Sequence, residues 1–128
     1  MGFDQALRDR TLTELGRLIV AGPDYAGHDW RGIAVVIQIE PRKRLFGYMY
    51  LSDGSWTAAI PEPRPAIEKA LALAEAMRVE GKAGWKTCLI QISAPDGRMK
   101  VDFEYDNPAR WDVTPANLEE RVEALRPD

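Results

Sequence analysis

Three carboxylates, Asp102, Glu104 and Asp106, stand two residues apart in the run 99–106 (MKVDFEYD). On an extended strand this spacing puts them on one face, neighbours roughly 7 Å apart. Such a row has three chemical uses: holding a divalent cation, working as a carboxylate pair, or presenting negative charge to a partner. The metal use lacks company. One cysteine and one histidine cannot build a structural zinc site, and no H-E-x-x-H or EF-hand pattern occurs. Nucleophilic catalysis needs a nucleophile beside a base, most often histidine. The single His28 falls in a polar stretch and Cys88 in an apolar run, with no catalytic signature around either. The glycines form neither G-x-G-x-x-G nor a phosphate-cradling loop before a lysine. The carboxylate row is therefore read as a charged surface rather than as a catalytic or metal centre.

A second feature is the basic turn Arg42-Lys43-Arg44, followed by Phe46, Tyr48 and Tyr50. Strand aromatics beside cations can stack bases, as in RNA-binding sheets. The same alternation fits the core face of a sheet, and three cations in a chain of pI ≈ 5.2 leave a weak footprint. Direct nucleic-acid binding is not expected. Of the four tryptophans, Trp56 and Trp85 begin strands, Trp30 precedes one, and Trp111 lies in the irregular stretch before the last helix. Indoles there close core edges, and they also serve as interface anchors.

The elements that position these residues follow from periodicity. Residues 3–21 carry Phe3, Leu7, Leu15, Leu18 and Ile19 near a 3.6-residue period, and Gly22-Pro23 stops that helix. Residues 32–40 read as a β-branched strand, apolar on both faces in its early part, which suits a central or helix-covered position. A strand at 45–51, the Asp53-Gly54 turn and a short strand at 56–60 follow. Prolines at 61, 63 and 65 lead into a helix over 66–80 with its stripe at Ile67, Ala70, Leu71, Ala74 and Met77. Strands at 85–93 and 98–105 join at Pro95-Asp96-Gly97. Thr114-Pro115 then reads as an N-cap and first helical position, ahead of the apolar stripe Leu118, Val122 and Leu125. The order α-β-β-β-α-β-β-α predicts an α+β fold: a single, mainly antiparallel sheet of about five strands, with helices packed on one face.

The chain has 128 residues, enough for one domain with its own core and no disulfide. Hydrophobic residues at 45% and charged residues at 29% exclude a disordered class. Net charge is −3, unevenly placed: residues 101–128 hold 8 acidic and 3 basic side chains, net −5, which leaves +2 for residues 1–100. An acidic segment repels nucleic acid and speeds encounter with basic proteins. The N-terminus lacks the basic stretch and apolar core of a signal peptide, and no apolar run approaches the roughly 18 residues of a membrane span. A cytoplasmic protein with no membrane association is expected.

One resemblance adds to this reading. Gly84-Trp85-Lys86 with Cys88, the turn Pro95-Asp96-Gly97-Arg98-Met99-Lys100, the strand Val101-Asp102-Phe103-Glu104-Tyr105-Asp106 and the later Trp111 together resemble the YezG-like immunity proteins. These are small bacterial antitoxins against polymorphic toxins passed between neighbouring cells. The likeness covers residues 84–112 in motif and most of the chain in layout. The chain departs from the pattern after Asp106, where Asn107 and Pro108 follow. The resemblance implies a non-catalytic protein, without a cofactor, that binds a cognate toxin stoichiometrically. Nucleases with basic clefts are the toxins an acidic inhibitor surface would suit. The residues expected to meet that partner are Asp102, Glu104, Asp106, Trp111, Glu119 and Glu120, on a monomer or weak dimer. The alternative is a small-molecule or regulatory ligand-binding domain, its pocket between sheet and helices lined by Phe46, Tyr48, Tyr50 and Trp56.

Overall fold

The structure is a computed structural model that describes residues 4–127; Phe3, expected in the first helix, lies outside the described residues. The chain forms α1 (Gln5–Val20), β1 (Trp30–Gln38), β2 (Arg44–Leu51), β3 (Trp56–Ala58), α2 (Pro63–Ala76), β4 (Thr87–Ser93), β5 (Arg98–Glu104) and α3 (Leu118–Ala124). All pairings are antiparallel and the sheet order is β3-β2-β1-β4-β5. The predicted class and element order are those observed. β1 is central because its residues are apolar on both sides: seven consecutive positions from Gly32 to Gln38 are buried.

Those two faces serve two cores. Ile33, Val35 and Ile37 of β1 pack with Met49, Cys88, Ile90 and Ile92, under Leu15 and Ile19 of α1 and Ala66, Ala70 and Leu73 of α2. Ala34 and Val36 point the other way, with Tyr48, Tyr50 and Leu89, beneath Trp111, Val122 and Leu125. The expectation of helices on one face is thus corrected. α1 and α2 cover one side, while α3 and the segment before it cover the other. The apolar stripe of α3 announces a buried face but not which side of the sheet it meets. The second apolar face of β1 and β2 supplies that side, because exposed to water it would forfeit about 25 cal/mol per Å² of burial.

Local chemistry explains the element ends. Asp4 caps α1 by accepting the Leu7 N–H at 3.1 Å. Pro63 opens α2, where its missing N–H is unneeded, so that helix starts earlier than residue 66. Gly47, opposite Val35 in register, has no side chain because a Cβ there would lie 2.6 Å from the Ala34 carbonyl oxygen. α3 begins at Leu118 rather than Pro115. Asn117 closes the preceding turn instead, its side-chain oxygen accepting the Thr114 N–H at 2.7 Å.

Candidate functional site

The β4–β5 hairpin carries the expected surface. Gly97 takes φ +70° in the joining turn, and pairing of Leu89 with Asp102 and Ile90 with Val101 sets the register. Val101 and Phe103 face the core under α1 and α2. Lys100, Asp102 and Glu104 consequently lie on the α3 side of an edge strand.

The carboxylates there have different tasks. Glu104 is tied inward: one oxygen accepts the N–H groups of Asp106 at 2.9 Å and Asn107 at 3.0 Å, and the other accepts from Arg110 at 3.1 Å. The backbone donors Asn107 and Asp106, ahead of Arg110, hold its carboxyl below the usual range. Glu104 therefore shapes the 104–110 turn, so of the three carboxylates in the row expected to meet a partner it is the one already engaged by its own chain. Asp102 is half-buried and Asp106 exposed, and neither has an ion-pair partner among the described residues. Glu119 and Glu120 are exposed in the first turn of α3, also unpaired among the described residues. Carboxylates there are favoured by the helix dipole.

Trp111, also expected to meet a partner, lies in the core. It is 7% exposed and packs beneath α3 with Leu125 and Val122. Arg110 covers its ring at 4.8 Å. Its place in the irregular stretch before the last helix favours core packing over partner contact in sequence, and the second sheet core claims it. The acidic segment is also less free than its composition implies. Asp112 pairs with Arg44 at 3.0 Å, Glu123 with Arg126 at 2.8 Å, and Glu104 with Arg110 at 3.1 Å. Arg121 donates to the Arg110 carbonyl at 3.3 Å, joining the 104–112 turn to α3. What remains outward is a set of four carboxylates, Asp102, Asp106, Glu119 and Glu120, on the turn, edge strand and helix of one layer.

The other candidates land elsewhere. Tyr48 and Tyr50 are 8% and 1% exposed and meet Trp56 and α3 in the second core; the Tyr50 hydroxyl donates to the Val122 carbonyl at 2.6 Å. Tyr48 lies edge-on to both Phe46 and Trp56. Tyr48 packs against Phe46 and Trp56 and Tyr50 against α3, so the described residues present no open base-stacking platform, while Tyr50 still reaches the wall of a cavity of about 280 Å³ together with Arg31, Arg98 and Arg126. Arg44, from the basic turn, is held by Asp112 and lies over Phe46 at 5.2 Å. Cys88 is fully buried and burial pushes its thiol up to about 12, the reverse of what a nucleophile requires. His28 is exposed in the loop after Tyr25. Among the described residues no three His, Cys, Asp or Glu side chains converge to hold a metal ion, and no helix is long and apolar enough to cross a membrane.

The chain matches no protein-family model, and no curated protein is significantly similar to it.

Proposed function

We propose that this is an immunity protein that neutralises a cognate toxin by one-to-one, non-catalytic binding through its acidic α3-side surface. The observation that carries the reading is a set of four carboxylates with no ion-pair partner among the described residues: Asp102 on the edge strand β5, Asp106 on the turn that Glu104 and Arg110 brace, and Glu119 and Glu120 at the start of α3. A braced turn presents charge at little ordering cost on binding, which favours affinity. Unpaired surface carboxylates attract a basic cleft and raise its rate of encounter. A nuclease, whose cleft must hold phosphates, is the class of toxin such a surface fits. The motif resemblance over residues 84–112 supports the same reading.

The test is capture from the source cell, with the whole chain as bait. A retained basic protein, toxic when expressed alone and harmless when co-expressed with this chain, is the expected result. Retained proteins that are harmless alone, or whose toxicity the chain does not relieve, would remove the proposal.

A further inference from the structure

Beyond the C-terminal end of α3, on the same side of the sheet, four cations surround a cleft that the acidic surface does not use. A bulge in β1 aims the first of them. Trp30 pairs with Leu51 and Gly32 with Tyr50, so Arg31 is an extra residue between the two pairs. The bulge breaks the alternation that would send Arg31 to the α1 side with Ile33. Arg31 instead lines a cavity of about 280 Å³ with Tyr50, Arg98 and Arg126. A second cavity of about 250 Å³, lined by Gln91 and Lys100, shares Ser93, Arg98 and Pro127 with the first. Pro127 sits directly on the sheet because Gly32 has no side chain; a Cβ there would lie 2.9 Å from the Pro127 Cγ. Arg31, Arg98 and Lys100 are exposed, and their side chains have no ion-pair partner among the described residues. Arg126 is fixed: it meets Glu123 at 2.8 Å, donates to the Gly54 carbonyl at 3.0 Å and lies over the Tyr50 ring at 4.7 Å.

We propose that this cleft binds a small molecule carrying a diphosphate group, one phosphate in each cavity and the Arg98 guanidinium between them. Cations gathered around one hollow repel one another, and a bound anion relieves that repulsion. A guanidinium presents a planar fork of donors that matches the oxygens of phosphate, which suits Arg31 and Arg98. The paired cavities and the Arg98 they share select two linked phosphates over one. The charge beyond the cleft limits the ligand's length. Asp102 follows Lys100 on the same face of β5, roughly 7 Å further along, and Glu123 faces Arg126. A nucleic-acid backbone running out of the cleft meets these carboxylates, whereas a diphosphate stays clear of them. The site does not depend on the proposed toxin surface, which uses Asp106, Glu119 and Glu120 at the other end of α3.

The experiment is a titration of the ¹⁵N-labelled full chain with pyrophosphate at fixed ionic strength, following backbone amides, with calorimetry for the affinity. Saturable shifts at Gly32, Ser93, Arg98 and Lys100 are expected at one-to-one stoichiometry, with Glu119 and Glu120 unmoved. Inorganic phosphate should bind about tenfold more weakly, and Arg31→Ala and Arg98→Ala should each cost about tenfold, as loss of a hydrogen bond to a charged group does. Arg98→Lys keeps the charge and should cost less than Arg98→Ala. Arg42→Ala removes a cation beyond the opposite end of β1 and should cost nothing, which separates a built cleft from net charge. All three arginines are exposed, and the amide spectrum of each variant reports that the fold is retained. Adenosine diphosphate distinguishes the sources: tighter binding than pyrophosphate assigns the group to a nucleotide, and weaker binding assigns it to a free diphosphate. The proposal is overturned by shifts that do not saturate, by phosphate binding as tightly as pyrophosphate, or by Arg31→Ala and Arg98→Ala leaving the affinity unchanged. Arg42→Ala costing as much as Arg98→Ala, or a single-stranded oligonucleotide binding tighter than either diphosphate, overturns it equally.

Discussion

Asp102 and Glu104 share a strand face two residues apart yet do different work, and single substitutions separate them. Asp102 is half-buried without an ion partner among the described residues, so Asp102→Lys should leave the unfolding free energy within about 0.5 kcal/mol of the parent. Against the captured toxin the same change should slow association, since rim charges act chiefly on the on-rate; surface plasmon resonance reads both rates. Equal association rates for parent and variant would take Asp102 out of the interface. Glu104→Gln should instead lower stability, because its carboxylate accepts from Asn107, Asp106 and Arg110. The pH dependence fixes the sign. A carboxyl held below its unfolded value contributes stability that is complete above about pH 4.3 and lost as pH falls through its folded value. The stability gap between parent and Glu104→Gln, measured by urea denaturation, should therefore be full at neutral pH and close in acid. A gap that persists below both values would mean that the oxygen geometry, and not the charge, braces the turn.

At the scale of elements, α3 is short and owes its place to contacts from the sheet. A seven-residue helix is unstable alone, since nucleation outweighs so few hydrogen bonds. Three polar contacts pin it and the residues after it. Tyr50 donates to the Val122 carbonyl, Gln91 to the Leu125 carbonyl at 2.9 Å, and Arg126 to the Gly54 carbonyl at 3.0 Å while lying over the Tyr50 ring at 4.7 Å. Burial also raises the Tyr50 phenol above its ordinary range, which favours the protonated form that donates this hydrogen bond. Tyr50→Phe leaves the Val122 carbonyl buried and unpaired, which costs about 1–3 kcal/mol. Hydrogen exchange should show the loss concentrated in α3 and absent from α1. Uniform exchange across both helices would mean that α3 has no separate hold on the sheet.

For the whole molecule, β1 joins the two layers by contributing Ile33, Val35 and Ile37 to one core and Ala34 and Val36 to the other. Neither layer loses its packing without exposing the strand that the other needs. Unfolding should therefore be a single cooperative transition, with far-ultraviolet circular dichroism and tryptophan fluorescence coinciding in urea. Fluorescence samples both sides, through Trp85 under α1 and α2 and Trp111 under α3. Two separated transitions would show that the layers fold independently. The edges of the sheet carry the surface business: β3 is only three residues long, and β5 alternates Arg98, Lys100, Asp102 and Glu104 along one face. Mixed charge on an edge strand discourages pairing with another copy's strand.

The sequence by itself determined the elements and their order, because a period of two or 3.6 and a proline or glycine stop are local properties. Alternation in 99–105 separates Val101 and Phe103 from Asp102 and Glu104, and the doubly apolar run 33–37 marks the central strand. Its short-range cues failed where the outcome depends on distant partners. The stripe Leu118, Val122 and Leu125 has no direction of its own, so the side of the sheet it covers was decided by the aromatic face of β2. Trp111 became core because Val122 reaches it only once the chain has turned back through 112–117, whereas Glu104 became a brace through near neighbours, the Asp106 and Asn107 N–H groups and Arg110, which the turn after β5 folds back onto it. Arg31, Arg98 and Arg126 lie far apart in the chain, and nothing in sequence announces that they meet around one cleft. The bulge at Arg31 and the seat of Pro127 on Gly32 bring them together, and only the tertiary structure sets both.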